Sequence, residues 1–289
     1  MKGHYSNILV PTDFSEQSLL ALEQAYALAK LLNVEITLLH VIAEGGAALH
    51  IPWFSKDNSE KNSEAYEEGC YARLLQISES ASKNSWIKVN PLMLKGKVHE
   101  KIIETAKDIY ARFIVMATDS SDPEHKKNSI GSVTSHVIGE TTCPVLTFNG
   151  TNIREQFDTI VLPLDLTKET QQKVTKAIEI AKFYNSTIRV VSVLLTGEKE
   201  VLEHLTEQLK QVKEYIEKRD IYTTTNIIHG SKAVGNIVDY ILDYAYETEG
   251  DLIVIMIQQD VGWKERFLGS MSSDILSHSK IPVMSVIAK

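Results

Sequence analysis

The chain is poor in cysteine, with only Cys70 and Cys143 among its 289 residues. Two isolated cysteines cannot build a disulfide framework, and neither belongs to a C-x-x-C metal or redox motif. This usage is typical of a protein that folds in a reducing compartment. We therefore expect a cytoplasmic location.

Runs of positive charge and long apolar runs are also missing. The net charge is −8, and the longest basic run is the pair Lys126-Lys127, so the chain lacks the electrostatic footprint of a nucleic-acid binder. The longest apolar run, Leu252 to Ile257, is far shorter than the roughly 20 residues that a membrane-spanning helix needs. The apolar run near residue 8 is too short for a signal peptide. We expect neither a nucleic-acid partner nor a membrane partner.

Two kinds of chemical motif are absent as well. The nine histidines show no H-x-x-x-H or H-E-x-x-H spacing, so no metal site is predicted. His40, at the end of a predicted strand, is the histidine that could face a ligand cleft. No G-x-S-x-G elbow occurs, and no base is spaced to activate a serine, so we expect no enzyme.

What the chain does contain is an internal repeat. The stretch from Ile8 to Ile42 returns from Ile160 to Leu194, with constant spacing. Three pairs of identical residues are each 152 positions apart: Pro11 and Pro163, Asp13 and Asp165, Asn33 and Asn185. Later pairs, Gly131 with Gly269 and Pro144 with Pro282, are 138 positions apart. The difference is explained if the second copy lacks most of a long loop predicted over residues 44–64.

The hydrophobic pattern within each copy alternates short apolar runs with segments of helical spacing. In the first copy it predicts strands at 8–10, 34–41, 87–94, 113–117 and 143–148, and helices at 16–32, 65–82, 98–110 and 132–140. In the second copy it predicts strands at 160–162, 187–194, 222–228, 252–257 and 282–287, and helices at 171–184, 198–219, 234–246 and 270–277.

This order predicts an α/β fold, because strands joined by helical crossovers pair in parallel. We expect two repeated doubly wound domains, residues 1–150 and 151–289, each with a mostly parallel five-stranded sheet and helices on both faces. Residues 149–152 supply the linker. Two copies of one fold can bury the same surface against each other, so we also expect an intramolecular pseudo-dimer.

Ligands of such sheets bind outside the carboxyl ends of the strands, and phosphates there prefer backbone N–H groups at a helix N-terminus. Two segments of the first copy meet this description. One is Pro11-Thr12-Asp13, after the first strand, and the other runs from Ala117 to Ser132.

These segments resemble those of the universal stress protein family. The family's P-x-D-x-S start is matched by Pro11, Asp13 and Ser15, and in the second copy by Pro163, Asp165 and Thr167. The end of its glycine-rich loop, G-x-x-G-x(9)-G-[ST], is matched by Gly131-Ser132 and by Gly269-Ser270, and its closing C-P-V strand by residues 143–145 and 281–283. The resemblance covers the whole chain, twice.

The resemblance implies a non-enzymatic stress-response protein that binds ATP or another adenine nucleotide. It also implies dimer-like contact through the last strands, so residues 145–148 and 283–287 should lie near each other. The candidate nucleotide-binding residues are Pro11, Thr12, Asp13, Val41, Met116, Thr118, Gly131, Ser132 and Val133 in the first copy, and Asp165, Gly269 and Ser270 in the second.

The first two glycines of the family's loop are absent from both copies. Thr118 and Ser121 stand in their places in the first copy, and Met256 and Gln259 in the second. Glycine lets the backbone approach a phosphate closely, so the site is degenerate in the first copy, and we expect it to be lost in the second. The alternative is a nucleotide-free scaffold that binds an unknown protein, for which Trp53 and Phe54 are candidate contacts.

Simpler roles are also open for several of these residues. Asp13 could cap the helix that follows, with Glu16 three residues later, and Ser132 and Ser270 could act as helix caps. Association of whole chains into a homo-oligomer is left open by the sequence.

Overall fold

The computed structural model describes residues 7–43, 60–118, 130–148, 153–165, 170–195, 197–231, 233–257 and 270–287. The side chains of residues 60–63 and 270 are outside this description. The chain divides into two compact units, Met1–Met116 and Ala117–Lys289.

The first unit is built on four parallel strands. Its elements are β1 (Asn7–Pro11), α1 (Glu16–Leu32), β2 (Glu35–Ala43), α2 (Glu60–Ser85), β3 (Val89–Gly96), α3 (Val98–Asp108) and β4 (Ala111–Ala117). The strands are ordered β3-β2-β1-β4, and each neighbouring pair is parallel. The order reverses direction beside β1, as in a doubly wound sheet.

The second unit holds six strands. Its elements are α4 (Ser132–Glu140), β5 (Val145–Phe148), β6 (Thr159–Pro163), α5 (Thr170–Tyr184), β7 (Thr187–Leu194), α6 (Lys199–Glu217), β8 (Thr223–His229), α7 (Ile237–Glu247), β9 (Leu252–Ile257), α8 (Ser270–His278) and β10 (Val283–Ile287). The strand order is β5-β10-β9-β6-β7-β8, and all pairs are parallel except β5 with β10. The predicted mostly parallel, doubly wound α/β fold is confirmed.

The internal repeat is visible in the backbone. Thr12 N–H donates to Leu39 O at 2.8 Å, and Leu164 N–H donates to Val191 O at 2.9 Å, 152 positions later. Asn33 and Asn185 both adopt left-handed φ angles, 53° and 60°, where α1 and α5 end. The central strands are apolar without alternation because both of their faces are covered. For example, Ile8, Leu9 and Val10 of β1 are fully buried.

The closing strands of the two copies pair with each other, as predicted. Strand β10 runs antiparallel to β5, with Met284 opposite Leu146 and Ser285 opposite Val145. Thr147, fully buried, donates its hydroxyl hydrogen to Val283 O at 3.2 Å. The last strand of each copy is thus covered by the other.

Two helix starts differ from the sequence prediction. Helix α2 begins at Glu60 and not at residue 65, so the helix extends into the segment predicted as loop. Helix α7 begins at Ile237 and not at residue 234, because Asn236 forms a capping box with Asp239 there. The remaining bounds agree with the prediction or differ from it by at most three residues. Trp53, Phe54 and the 149–152 linker lie outside the described residues. No described helix combines the length and hydropathy needed to cross a membrane.

Candidate functional site

The turn after β1 is held by a set of short hydrogen bonds. Thr12 is buried, and its hydroxyl lies 2.9 Å from Ser18 Oγ and accepts the Phe14 N–H at 3.0 Å. Asp13 Oδ1 accepts the Ser15 N–H at 3.0 Å and the Ser15 hydroxyl at 2.5 Å. The turn therefore presents the Asp13 carboxylate, which is exposed, in a defined orientation.

Asp13 does not cap α1, which corrects one of the two roles considered for it. The N-cap is Ser15, whose hydroxyl oxygen accepts the Ser18 N–H at 3.2 Å. Partial burial opposes ionisation of Asp13, but the hydrogen bonds from Ser15 outweigh it and lower the pKa of the carboxyl below 3.8. Asp13 is thus an anion at neutral pH, oriented by the residue that caps the helix.

His40 supports this turn from β2. Its Nδ1 lies 2.9 Å from Thr12 O, and because a carbonyl only accepts, Nδ1 carries the proton in this bond. Burial lowers the pKa of His40, so the imidazole is neutral and Nε2 is an acceptor; this atom is buried without a hydrogen-bond partner. The second copy uses Ser192 at the equivalent place, whose hydroxyl donates to Leu164 O at 2.7 Å.

Two further residues complete this cluster, and sequence reasoning missed both. Phe14 is buried with a left-handed φ of 65°, rare for an aromatic residue, and its ring stacks on His40 at 4.3 Å between centroids. Arg73 of α2 lies 5.0 Å above that ring and donates to Phe14 O at 3.3 Å. Arg73 is 59 positions from Phe14 in the chain, so no local pattern signals the contact.

The turn after β6 is built differently, although its backbone repeats that of the first copy. Asp165 is exposed like Asp13, but its Oδ1 is 2.6 Å from the ammonium of Lys173, on α5. Lys173 is 8% exposed, an unusual degree of burial for lysine. Beside it lies a narrow cavity of about 30 Å³ at the ends of β6 and β9, lined by Pro163, Met256, Met271 and Ser272 among others. Pockets for drug-sized ligands have volumes of about 300–1,000 Å³.

The segment after β4 is described at its two ends, Thr118 and residues 130–132. These ends meet, since Gly131 N–H donates to Thr118 O at 2.9 Å. Thr118 is buried and bonded through both its N–H and its hydroxyl to Phe148 O. Gly131, and not Ser132, is the N-cap of α4, so the expectation that Ser132 caps this helix is wrong. Ser132 is the exposed first residue of the helix. No side chain accepts a hydrogen bond at the Gly131 cap.

The other candidate residues take their places on these elements. Pro11 ends β1, Val41 is buried in β2 and Met116 is buried in β4, while Val133 follows Ser132 in α4. Ser270 begins α8, and Gly269 lies outside the described residues. The structure brings Thr12, Asp13 and His40 together in the first unit. In the second unit it joins Thr118 to Gly131, and Asp165 to Lys173.

Within the part of the chain that the structure describes, no three histidine, cysteine or carboxylate residues are grouped as metal ligands. Cys70 and Cys143 form no disulfide bond.

Comparison with known proteins gives one consistent family. The model of the universal stress protein family matches residues 4–149 and again residues 156–286. Universal stress protein MJ0577 of Methanocaldococcus jannaschii is 30% identical over 159 residues, covering 50% of this chain and 96% of that protein. Universal stress protein MJ0531 of the same organism is 30% identical over 143 residues, covering 49% of this chain and 81% of that protein.

A solved structure extends the fold match to the whole chain. A universal stress protein from Archaeoglobus fulgidus has a TM-score of 0.75 at 22% identity, over 98% of this chain and 96% of that one. The repeat, the paired closing strands and the two family matches together have one explanation. The chain belongs to the universal stress protein family and carries two copies of its domain in tandem.

Proposed function

We propose that this protein is a cytoplasmic stress-response module that binds an adenine nucleotide through its first copy and catalyses no reaction. The observation that carries the proposal is the Asp13 turn: an exposed carboxylate, ionised at neutral pH and oriented by Ser15. A rigid acceptor of this kind suits the hydroxyl groups of a ribose. The position also matches the family's aspartate.

The start of α4 supports a phosphate contact. The first N–H groups of a helix have no intrahelical acceptor, and they attract anions. Gly131 offers no side chain to satisfy them, and Ser132 adds an exposed hydroxyl. Both residues stand at the end of the family's glycine-rich loop.

The second copy supports binding much less. Its aspartate is already engaged by Lys173, and Met256 stands where the family's loop has its first glycine. Met256 also lines the narrow cavity beside Lys173, where the described residues leave little space for a ligand. We therefore assign the nucleotide to the first copy alone.

A nucleotide-free scaffold is the second candidate, and one observation favours it. Thr118, at the first glycine position, is buried, and both its N–H and its hydroxyl donate to Phe148 O. Its backbone N–H is therefore already used within the protein and is not offered to a phosphate.

A thermal-shift titration with ATP, ADP and AMP, each with magnesium, distinguishes the candidates. A ligand that binds only the folded state at 100 times its dissociation constant stabilises it by about 2.7 kcal/mol. We expect a shift in the wild type that is lost in Asp13→Ala and reduced in Ser132→Ala. Asp243→Ala, an exposed carboxylate on α7, is the matched control. No shift with any nucleotide would favour the scaffold, and release of phosphate from ATP would refute the non-enzymatic role.

A further inference from the structure

Among the buried positions at which the two copies differ, one lies on the helix that follows the first strand of each copy. By the constant spacing of the repeat, Lys173 of α5 corresponds to Ala21 of α1. Ala21 is fully buried, and the side chain of Lys173 is only 10% exposed. The second copy thus places a long cationic side chain where the first copy has a methyl group.

A buried ammonium is retained only when it is paired, because leaving water without a partner costs several kcal/mol. Lys173 meets this requirement with Asp165, at 2.6 Å from Nζ to Oδ1. Asp165 is the counterpart of Asp13, whose carboxylate is oriented by Ser15. In the second copy the carboxylate of Asp165 is therefore paired with a cation from α5. In the first copy the corresponding position of α1 is Ala21, which supplies no cation to Asp13.

The surrounding residues show where the lysine lies. Lys173 lines the narrow cavity together with Pro163 and Met256, at the ends of β6 and β9, and with Met271 of α8. Carboxyl ends of parallel strands are where ligands of this fold class bind. The apolar stem of Lys173 and its ammonium contribute to the wall of that position.

We propose that Lys173 is the resident occupant of the second cleft: its side chain fills the space, and its ammonium takes the place of an external ligand on Asp165. The protein's own side chain thus occupies the second cleft. A primary alkylammonium ion is the free molecule that corresponds to this side chain. This inference does not depend on nucleotide binding by the first copy, because it concerns only residues of the second.

Chemical rescue tests the proposal. Lys173→Ala should lower the thermal midpoint because it removes the ammonium that pairs with Asp165 and leaves an unfilled cavity. Added n-butylammonium should raise the midpoint of this variant progressively with concentration, as mass action requires. Tetramethylammonium, which cannot donate a hydrogen bond, and sodium at equal ionic strength should not. A folded Lys173→Ala protein that n-butylammonium fails to stabilise would overturn the proposal.

The controls separate this reading from a general salt effect. Lys182→Ala removes an exposed lysine from the same helix and should show no rescue. The double variant Lys173→Ala with Asp165→Asn should also show none, because the carboxylate that binds the ammonium is gone. Lys173→Met fills the space with an apolar stem and should leave no room for the amine. Rescue in any of these three variants to the same extent as in Lys173→Ala would contradict the assignment.

A second measurement applies if Lys173→Ala does not fold. In the wild type, an amine-directed acylating reagent should modify Lys173 at least roughly tenfold more slowly than Lys182, because its ammonium is buried in an ion pair. Asp165→Asn should narrow that difference. Equal reaction rates at the two lysines of the folded wild type would refute the occupancy of the cleft.

Discussion

Asp251 braces the start of the second copy, and its removal should destabilise that unit strongly. The residue is 7% exposed and precedes β9. Its Oδ2 accepts the Asp158 N–H at 2.7 Å, and its Oδ1 accepts the Thr159 N–H at 3.0 Å. One carboxylate thus ties the first backbone groups of β6 to the neighbouring strand.

The magnitude follows from the two donors. A hydrogen bond to a charged group contributes about 1.5–3 kcal/mol, and water replaces part of two part-buried bonds, so Asp251→Ala should cost about 2–4 kcal/mol. Asp251→Asn keeps one acceptor oxygen and should cost about 1–2 kcal/mol. Burial raises the pKa of Asp251, so the folded state binds the carboxyl proton more tightly than the unfolded state does. The contribution of this group to stability therefore declines as pH rises through the folded pKa.

Hydrogen exchange is the appropriate assay because a chain with two compact units need not unfold in one step. We expect the Asp158 and Thr159 amides to exchange fastest in Asp251→Ala, more slowly in Asp251→Asn and most slowly in the wild type. Asp243→Ala, on an exposed face of α7, should leave both amides unchanged. Equal protection of the two amides in Asp251→Ala and Asp243→Ala would refute the bracing role.

Three further changes test other contacts. Ser15→Ala removes the hydroxyl that donates to Asp13 Oδ1 and keeps the Ser15 N–H bond to the same atom, so the pKa of Asp13 should rise in a carbon-13 NMR titration. An unchanged pKa would contradict the assigned cause. Stability linked to this lowered pKa is present above pH 3.8 and lost as pH falls through the folded value, so the variant's deficit in thermal midpoint should shrink in acid. Ser192→Ala leaves Leu164 O without the donor that holds it and should cost about 1–2 kcal/mol in the free energy of hydrogen exchange of the β6 and β7 amides. An unchanged exchange free energy would contradict the role of this hydrogen bond in holding the turn. Phe157→Ala deletes a ring that is 1% exposed and should cost about 3–5 kcal/mol by the same measurement. A cost smaller than that of Ser192→Ala would contradict the place of Phe157 in the core.

Much of the fold could be predicted from local pattern. Helices α1 and α4 and strands β7 and β9 have the predicted bounds, because helical spacing or an unbroken apolar run is a property of adjacent residues. The start of α2 was missed because its first turn is polar, with little apolar spacing to mark it. The pairing of β5 with β10 was also expected, although it came from the family resemblance and not from periodicity.

The candidate site was predictable only in outline. The repeat and the strand ends indicated the turns at Asp13 and Asp165, but not that Ser15 would cap α1 or that His40 would hold Thr12. One signal for Lys173 was available: aligning the copies places it opposite Ala21, in a helix whose neighbouring positions are apolar. Such an alignment indicates a buried lysine but does not identify its partner.

The sequence by itself determined that two copies of one α/β unit follow each other, and which segments become strands and helices, since those depend on neighbours along the chain. Only the tertiary structure decided which side chains meet. His40 reaches Thr12 across 28 positions, and Arg73 reaches Phe14 across 59. The His40 contact exists because parallel strands bring distant carboxyl ends to one edge of the sheet, whereas the Arg73 contact depends on the packing of α2 beside the turn after β1.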